Sequence, residues 1–439
     1  MQAGKVGSGF EASGPAVRLQ QEIISRRAKR RKTRWPVFLF LTALVVPWVI
    51  FIGSLRLSLY RIVLLVMVLP CLGMWIGRKA GRIRTVDIAM LLFWFWCTLS
   101  LIVVYGMEQS IQTPGILFIE TLGPYFLARC YIRDAEDFYN MIQLLFRIVL
   151  FLLPFAVFEF FSAQNISREL FATIFPIIPI DSPMPARMGL TRVQSVFDHP
   201  ILFGMFTGSI LPLVYLVLGY KKGLFQRSFW TGLVAAVSFM SLSAGPLTQI
   251  VTAGFLLSWN GLLGATKARW KILIVLVVLI TLATELFANR SVLTIVVSFF
   301  LLDPISYWGR LMIFEVAWAS VSKHPLFGVG HEWERPEWMG DSIDNFWLLL
   351  AVRYGLPASV LLLLALLSIF LAVSFKKGLD DRLTVYRTAF LITMTSLFVV
   401  SWTVHLWDAA YVLFLFLLGS GVWMLDMEPK ESAALHARV

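Results

Sequence analysis

The chain has 439 residues, of which 58% are hydrophobic and only 15% charged, and its mean hydropathy is +0.78. That much apolar surface excludes a soluble domain, and the expected class is an all-α, polytopic integral membrane protein. The net charge of +12 points less to nucleic acid than to orientation, because Lys and Arg gather in the cytoplasmic loops of bilayer proteins.

The first 35 residues form a polar tail that ends in the basic run RRAKRRKTR (26–34). The apolar stretch that follows, 36–55, is long for a signal-peptide core and lacks a small-x-small cleavage site, so an uncleaved first span is expected. The tail is then cytoplasmic and disordered. Inside-anchoring and anionic lipid explain its charge, so no nucleic-acid partner is expected. Apolar runs of the length that crosses about 30 Å of hydrocarbon follow near 58–77, 86–105, 113–131, 138–161, 200–219, 228–244, 246–263, 270–288, 345–374, 384–404 and 406–425. This gives about 12 transmembrane helices in a domain spanning 36–425, with a short cytoplasmic tail at 426–439. The loops GRKAGRIR (77–84), KKGLFQR (221–227), TKARWK (266–271) and FKKGLDDR (375–382) are basic, whereas MEQSIQTPG (107–115) and SAGP (243–246) are poor in cations. The alternation places both termini in the cytoplasm.

Two outward loops are long, 162–199 and 289–343. Long loops in compact proteins tend to be functional, and residues 311–321 (LMIFEVAWASV) suit a short interfacial helix. Cys71, Cys97 and Cys130 lie in or beside apolar segments without ligand spacing, so packing is their expected role.

Charges on the outer side need a reason. Arg192 opens RVQSVFDHPILFG and Arg310 opens the segment after the second loop's apolar start; Arg335 lies in HEWERPEW and Arg353 in LLLAVRYG. Guanidinium forks at headgroup level suit an anionic group, and snorkelling is the plainer alternative. Arg353, inside a span, requires a partner or a wet cavity, and Asp344 is one candidate. Asp344 and Asn345 open the tenth span, where an Asp serves equally as a helix cap or as a base facing the chamber. His331 with Glu332, Glu334 and Glu337 is a weak metal pattern, and no metal is expected. His199 and His324 precede Pro and are read as turn residues. Glu120, Arg129 and Glu159 lie within spans; Glu120 and Arg129 are too far apart on one helix to touch, so pairing with other spans is expected. Gly328-Val-Gly330 lacks the strand and lysine of a phosphate loop.

RVQSVFDHPILFG, then SLSAGP (241–246), Arg310, PLFGVG (325–330) and DNFWLLLAVRYGLP (344–357) together resemble the O-antigen ligase and polymerase superfamily, over roughly residues 187–358. The resemblance implies metal-independent, cofactor-free glycosyl transfer at the periplasmic face of the bacterial inner membrane. The donor is a glycan on undecaprenyl diphosphate, the acceptor a sugar hydroxyl, and other polysaccharide-assembly proteins are possible partners. Arg192 and Arg310 map onto the outer arginines that hold the diphosphate. Asp344 stands where ligases carry a histidine base, which favours a polymerase over a lipid A core ligase. The implied roles give His331 as a reserve base and Arg187, Arg335, Asn345 and Arg353 as substrate contacts. A lipid-linked-glycan transporter is the competing class; it would show a repeat with mid-membrane polar residues, and only the echo HPILFG (199–204) against HPLFG (324–328) is present.

Overall fold

A backbone in hydrocarbon finds no water, so each crossing segment has to satisfy its own N–H and C=O groups as a helix. The computed structural model describes residues 33–53, 55–108, 112–179, 184–287, 304–336, 339 and 342–427. The helices, in chain order, are α1 (Trp35–Ala43), α2 (Leu59–Ile76), α3 (Thr85–Tyr105), α4 (Gln112–Tyr131), α5 (Ala135–Ser162), α6 (Ile166–Ala172), α7 (Pro200–Gly208, prolonged by a π-helical turn at Val214–Leu218), α8 (Leu224–Phe239), α9 (Ala244–Leu262), α10 (Arg269–Phe287), α11 (Pro304–Lys323), α12 (Phe346–Tyr354), α13 (Leu356–Ser374), α14 (Asp381–Val400) and α15 (Asp408–Gly419). Seven segments among the described residues are long and apolar enough to cross a membrane: α2, α3, α5, Pro200–Leu218, α13, α14 and Asp408–Asp426. The protein is an α-helical membrane protein. The sequence readings of the N-terminal tail, of Glu337 and of the C-terminal tail fall outside the described residues.

Burial sorts the helices. Pro200–Leu218 and Asp408–Asp426 are each 89% buried, whereas α2, α3 and α13 are 33% buried. The first two form the centre and the others the rim. Rim helices turn apolar stripes outward, Leu65, Val66 and Leu69 on α2 and Leu364, Leu367 and Leu371 on α13, at the spacing of one helix face. Such stripes suit lipid. Around the centre, α4 packs on α2 and α15, α13 on α3, and α9 on α14.

Two predicted spans are corrected. The first, 36–55, stops as a helix at Ala43, and Val49–Ile52 pairs antiparallel with Leu55–Ser58 through a turn at Gly53 (φ 61°). Pro47 removes a helical donor there, and the β-branched run after it favours a strand. The tenth, 345–374, is not continuous: Gly355 (φ 82°) breaks it into α12 and α13. The expected interfacial helix at 311–321 is longer, running from Pro304 to Lys323.

The break at Gly355 explains two motifs at once. Val329 N–H donates to the Val352 carbonyl (2.8 Å), Gly330 N–H to that of Arg353 (3.0 Å), and Leu356 N–H to that of Pro325 (2.8 Å). PLFGVG and RYGLP are therefore two halves of one backbone lock. Helix α3 anchors it, with Trp96 stacked on Phe327 and donating to the Tyr354 carbonyl (3.1 Å). A Cβ on Gly355 would collide with the Leu326 carbonyl, and its φ disfavours any other residue. Gly355→Ala is expected to cost at least about 2 kcal/mol, read as a lowered thermal midpoint of the detergent-solubilised protein.

Candidate functional site

The segment that carries Arg192 is fixed from both sides. Glu159, near the end of α5, accepts from the backbone N–H of Gln194 (3.0 Å) and Ser195 (2.9 Å), and Val193 N–H reaches the Met240 carbonyl (3.0 Å). This intramembrane carboxylate thus pins a loop. Arg192 is nine-tenths buried. One Nη donates to Ser243 Oγ at 2.9 Å, and Nε has no partner among the described residues. No carboxylate of those residues forms an ion pair with Arg192, while Arg310 and Arg168 each have one and Arg61 has two. Arg187 lies beside it and donates to the Leu242 carbonyl (3.0 Å). Burial, and then the charge of Arg187, lower Arg192 to about 10, so it stays cationic at neutral pH.

Both arginines land on the SLSAGP break between α8 and α9, where Leu242 adopts φ 43°. Ser243 donates to the Ser241 carbonyl (2.9 Å) and accepts from Arg192, so it does not cap α9. An uncapped helix start presents amide N–H groups and a partial positive charge. Two guanidinium groups and that helix start together can hold an anion with two or more oxygens.

Asp344 takes the next place. Arg310 Nε donates to its Oδ2 (3.2 Å) and Ser342 Oγ to its Oδ1 (3.0 Å). Asn345 caps α12 through Leu348 N–H (3.0 Å). The cap is therefore Asn345 and not Asp344, which leaves Asn345 only its amide NH₂ for a substrate. The suggested Asp344–Arg353 pair is corrected too. Asp344 precedes the cap of α12 and pairs with Arg310, and among the described residues it forms no ion pair with Arg353.

His199 joins these groups. Arg192, Asp344 and Arg187 all lie within electrostatic reach of it. Its Nδ1 accepts from Ile201 N–H (3.0 Å) as the cap of α7. The neutral ring therefore carries its proton on Nε2 and acts as a donor, not a base. Trp407 stacks edge-on to His199 (5.7 Å between centroids) and tilted on His405 (4.9 Å). His405 and His331 border a cavity with Arg353, and Tyr105 Oη accepts from His331 N–H (2.6 Å), fixing that loop. Arg335 is exposed, on a wide depression with His331, Glu332 and Glu334, and does not line this cavity. Among the described residues no three His, Cys, Asp or Glu side chains are placed to hold a metal ion.

Burial lowers His199 to about 4, with Arg192 and Arg187 adding to it and Asp344 opposing, and burial with Arg353 lowers His405 to about 3. Unfolded, both rings protonate near about 6.5. Below that pH the unfolded chain binds protons that the fold refuses. Stability is thus full above about 6.5 and falls as pH drops toward the folded values, by about 1.4 kcal/mol per unit for each ring. The thermal midpoint is expected to fall steadily from pH 6.5 to 4, and His405→Gln to flatten that slope.

Three participants were not singled out from the sequence. Arg61 on α2 donates to Glu120 (2.7 Å) and approaches Asp408 (3.4 Å), and Trp407 bridges the histidines. A charge inside each of two apolar runs, LYRIVLL and LWDAAYV, was the available signal. Glu120 finds its partner on α2, and the fully buried Arg129 finds Asp87, Asp426 and the Arg82 carbonyl. No family model matches the chain, and no characterised protein matches it.

Proposed function

We propose that the protein transfers a glycan from a polyprenyl diphosphate to a sugar hydroxyl at the outer face of the bacterial inner membrane, as a polysaccharide polymerase. The observation that carries this reading is Arg192, a buried cation beside Arg187 with no carboxylate partner among the described residues. A buried charge is costly unless something neutralises it, and a diphosphate does so. The surrounding apolar rim suits the polyprenyl tail, and the alternation of basic loops favours both termini inside.

In the reaction, the acceptor hydroxyl oxygen forms a bond to the anomeric carbon. The bond from that carbon to the diphosphate oxygen breaks, and the electron pair leaves with the diphosphate. Arg192, Arg187 and Arg310 stabilise the growing negative charge. Asp344 takes the hydroxyl proton. Arg335 and Arg353 contact the glycan.

Calorimetric titration of the purified protein with inorganic pyrophosphate tests the anion site. Saturable binding that weakens about tenfold or more in Arg192→Gln is expected; equal binding by both proteins defeats the reading. Deleting the gene separates the two glycan activities. Loss of long polymer with single repeats still attached indicates a polymerase, and long polymer stranded on its carrier indicates a ligase.

A further inference from the structure

A cavity of about 210 Å³ lies between α4, α12 and α15, bordered by Glu120, Arg353, His331, His405, Trp407 and Asp408. It exceeds the about 150 Å³ void that holds a benzene ring and falls short of the about 300–1,000 Å³ of drug-sized sites. One substituted six-membered ring fits; a chain does not.

Its charges are balanced. Glu120 Oε1 accepts from Tyr60 Oη (2.8 Å) and Arg61 Nε (2.7 Å), and Asp408 Oδ1 lies 3.4 Å from the same two groups. The second oxygen of each carboxylate, Oε2 and Oδ2, makes no hydrogen bond among the described residues. Arg353 has no ion pair there either. Arg353 borders the cavity and Arg61, outside its lining, pairs with both carboxylates, so two guanidinium groups balance two carboxylates, unlike the cation excess at Arg187 and Arg192. An anion gains nothing from such a site and a cation gains nothing. An uncharged polyol gains on both counts: its hydroxyls donate to the free carboxylate oxygens and accept from Arg353, as charge-assisted hydrogen bonds. Trp407 supplies the apolar wall that a ring's C–H face needs. Asp408 is held at φ 43° at the mouth of α15, a conformation that costs energy in a non-glycine residue and clusters at ligand sites.

We infer that this cavity is the subsite for one uncharged sugar ring, and that Glu120 and Asp408 read its hydroxyl pattern. Trp407 contacts His199, which lies in the field of Arg192. On the glycosyl-transfer reading, the ring bound here is a sugar of the lipid-linked glycan. This inference rests on the glycosyl-transfer reading for its setting and is tested apart from it.

The full-length protein in detergent is titrated with the methyl α-glycosides of glucose, galactose and mannose and with methyl N-acetyl-β-glucosaminide, read by saturation-transfer NMR, and separately with inorganic pyrophosphate. At least one glycoside should give a saturable signal that weakens about tenfold or more in Glu120→Gln and in Asp408→Asn. Leu117→Trp, which fills the cavity and leaves the ion network intact, should abolish it. Arg192→Gln should lose pyrophosphate and keep the glycoside. If no glycoside saturates, or if binding survives Leu117→Trp, the sugar subsite is wrong even with pyrophosphate binding intact. If pyrophosphate ignores Arg192→Gln while glycoside binding follows the cavity variants, the sugar subsite stands and the diphosphate assignment falls.

Discussion

Arg192→Gln is expected to slow glycan transfer by about 10²–10³-fold and to leave the thermal midpoint unchanged or raised. The two effects have one origin. In the resting protein Arg192 is nine-tenths buried, has a single hydrogen bond to Ser243 and repels Arg187. A residue kept for stability would not be left in that state, since removing one member of a satisfied buried pair typically costs about 3–5 kcal/mol. Here the substitution removes a desolvated charge and lessens a repulsion, so folding should gain while catalysis fails. Arg192→Lys should recover little, because a single ammonium cannot bridge two phosphate oxygens in the plane that a guanidinium offers. Transfer assays on the detergent-solubilised protein, with melting curves of the same samples, check both halves. A variant that melts early and still transfers would make Arg192 a structural residue.

Asp344→Asn should reduce kcat by about 10²–10⁴-fold with a small change in KM, the loss expected when a general base is removed. Ser342 and Arg310 hold the carboxylate in one orientation, and Asn345 performs the capping that would otherwise have occupied it. Arg310→Ala should insert normally yet stop polymer growth, so that short lipid-linked repeats accumulate, and Arg310→Lys should restore little. Exchanging the two residues is the decisive control. If the swapped pair transfers glycan at the normal rate, the ion pair is only a strut between α11 and α12, and the base lies elsewhere.

Long apolar runs and basic loops made the helices legible, because crossing hydrocarbon imposes a length and a composition on each segment separately. Pairing was legible only in kind. That Glu120 and Arg129 need partners on other spans follows from helix geometry, but Arg61 and Asp408 meet across 347 positions, and nothing local marks that meeting. Taken singly, Arg61 reads as a side chain reaching for headgroups and Asp408 as a helix start. The break at Gly355 was hidden for the same reason. Its cause is backbone bonding to residues 325–330, which leaves no periodic trace in a run as apolar as LLLAVRYGLPASVLLLL. The hairpin after Ala43 was concealed by the opposite fault: VVPWVIFIG is as hydrophobic as a span, and only Pro47 and the β-branched residues hinted at strands.

The helix that bears Arg310 packs through Ala317 and Val321 into a small apolar cluster with Ile343, Leu348 and Val352, separate from the large one that contains Val193 and Phe197 beside Arg192. Arg192 and Arg310 are thus mounted on different packed clusters, so a substitution that loosens the small one, such as Val321→Ala, should shift Arg310 and leave Arg192 in place.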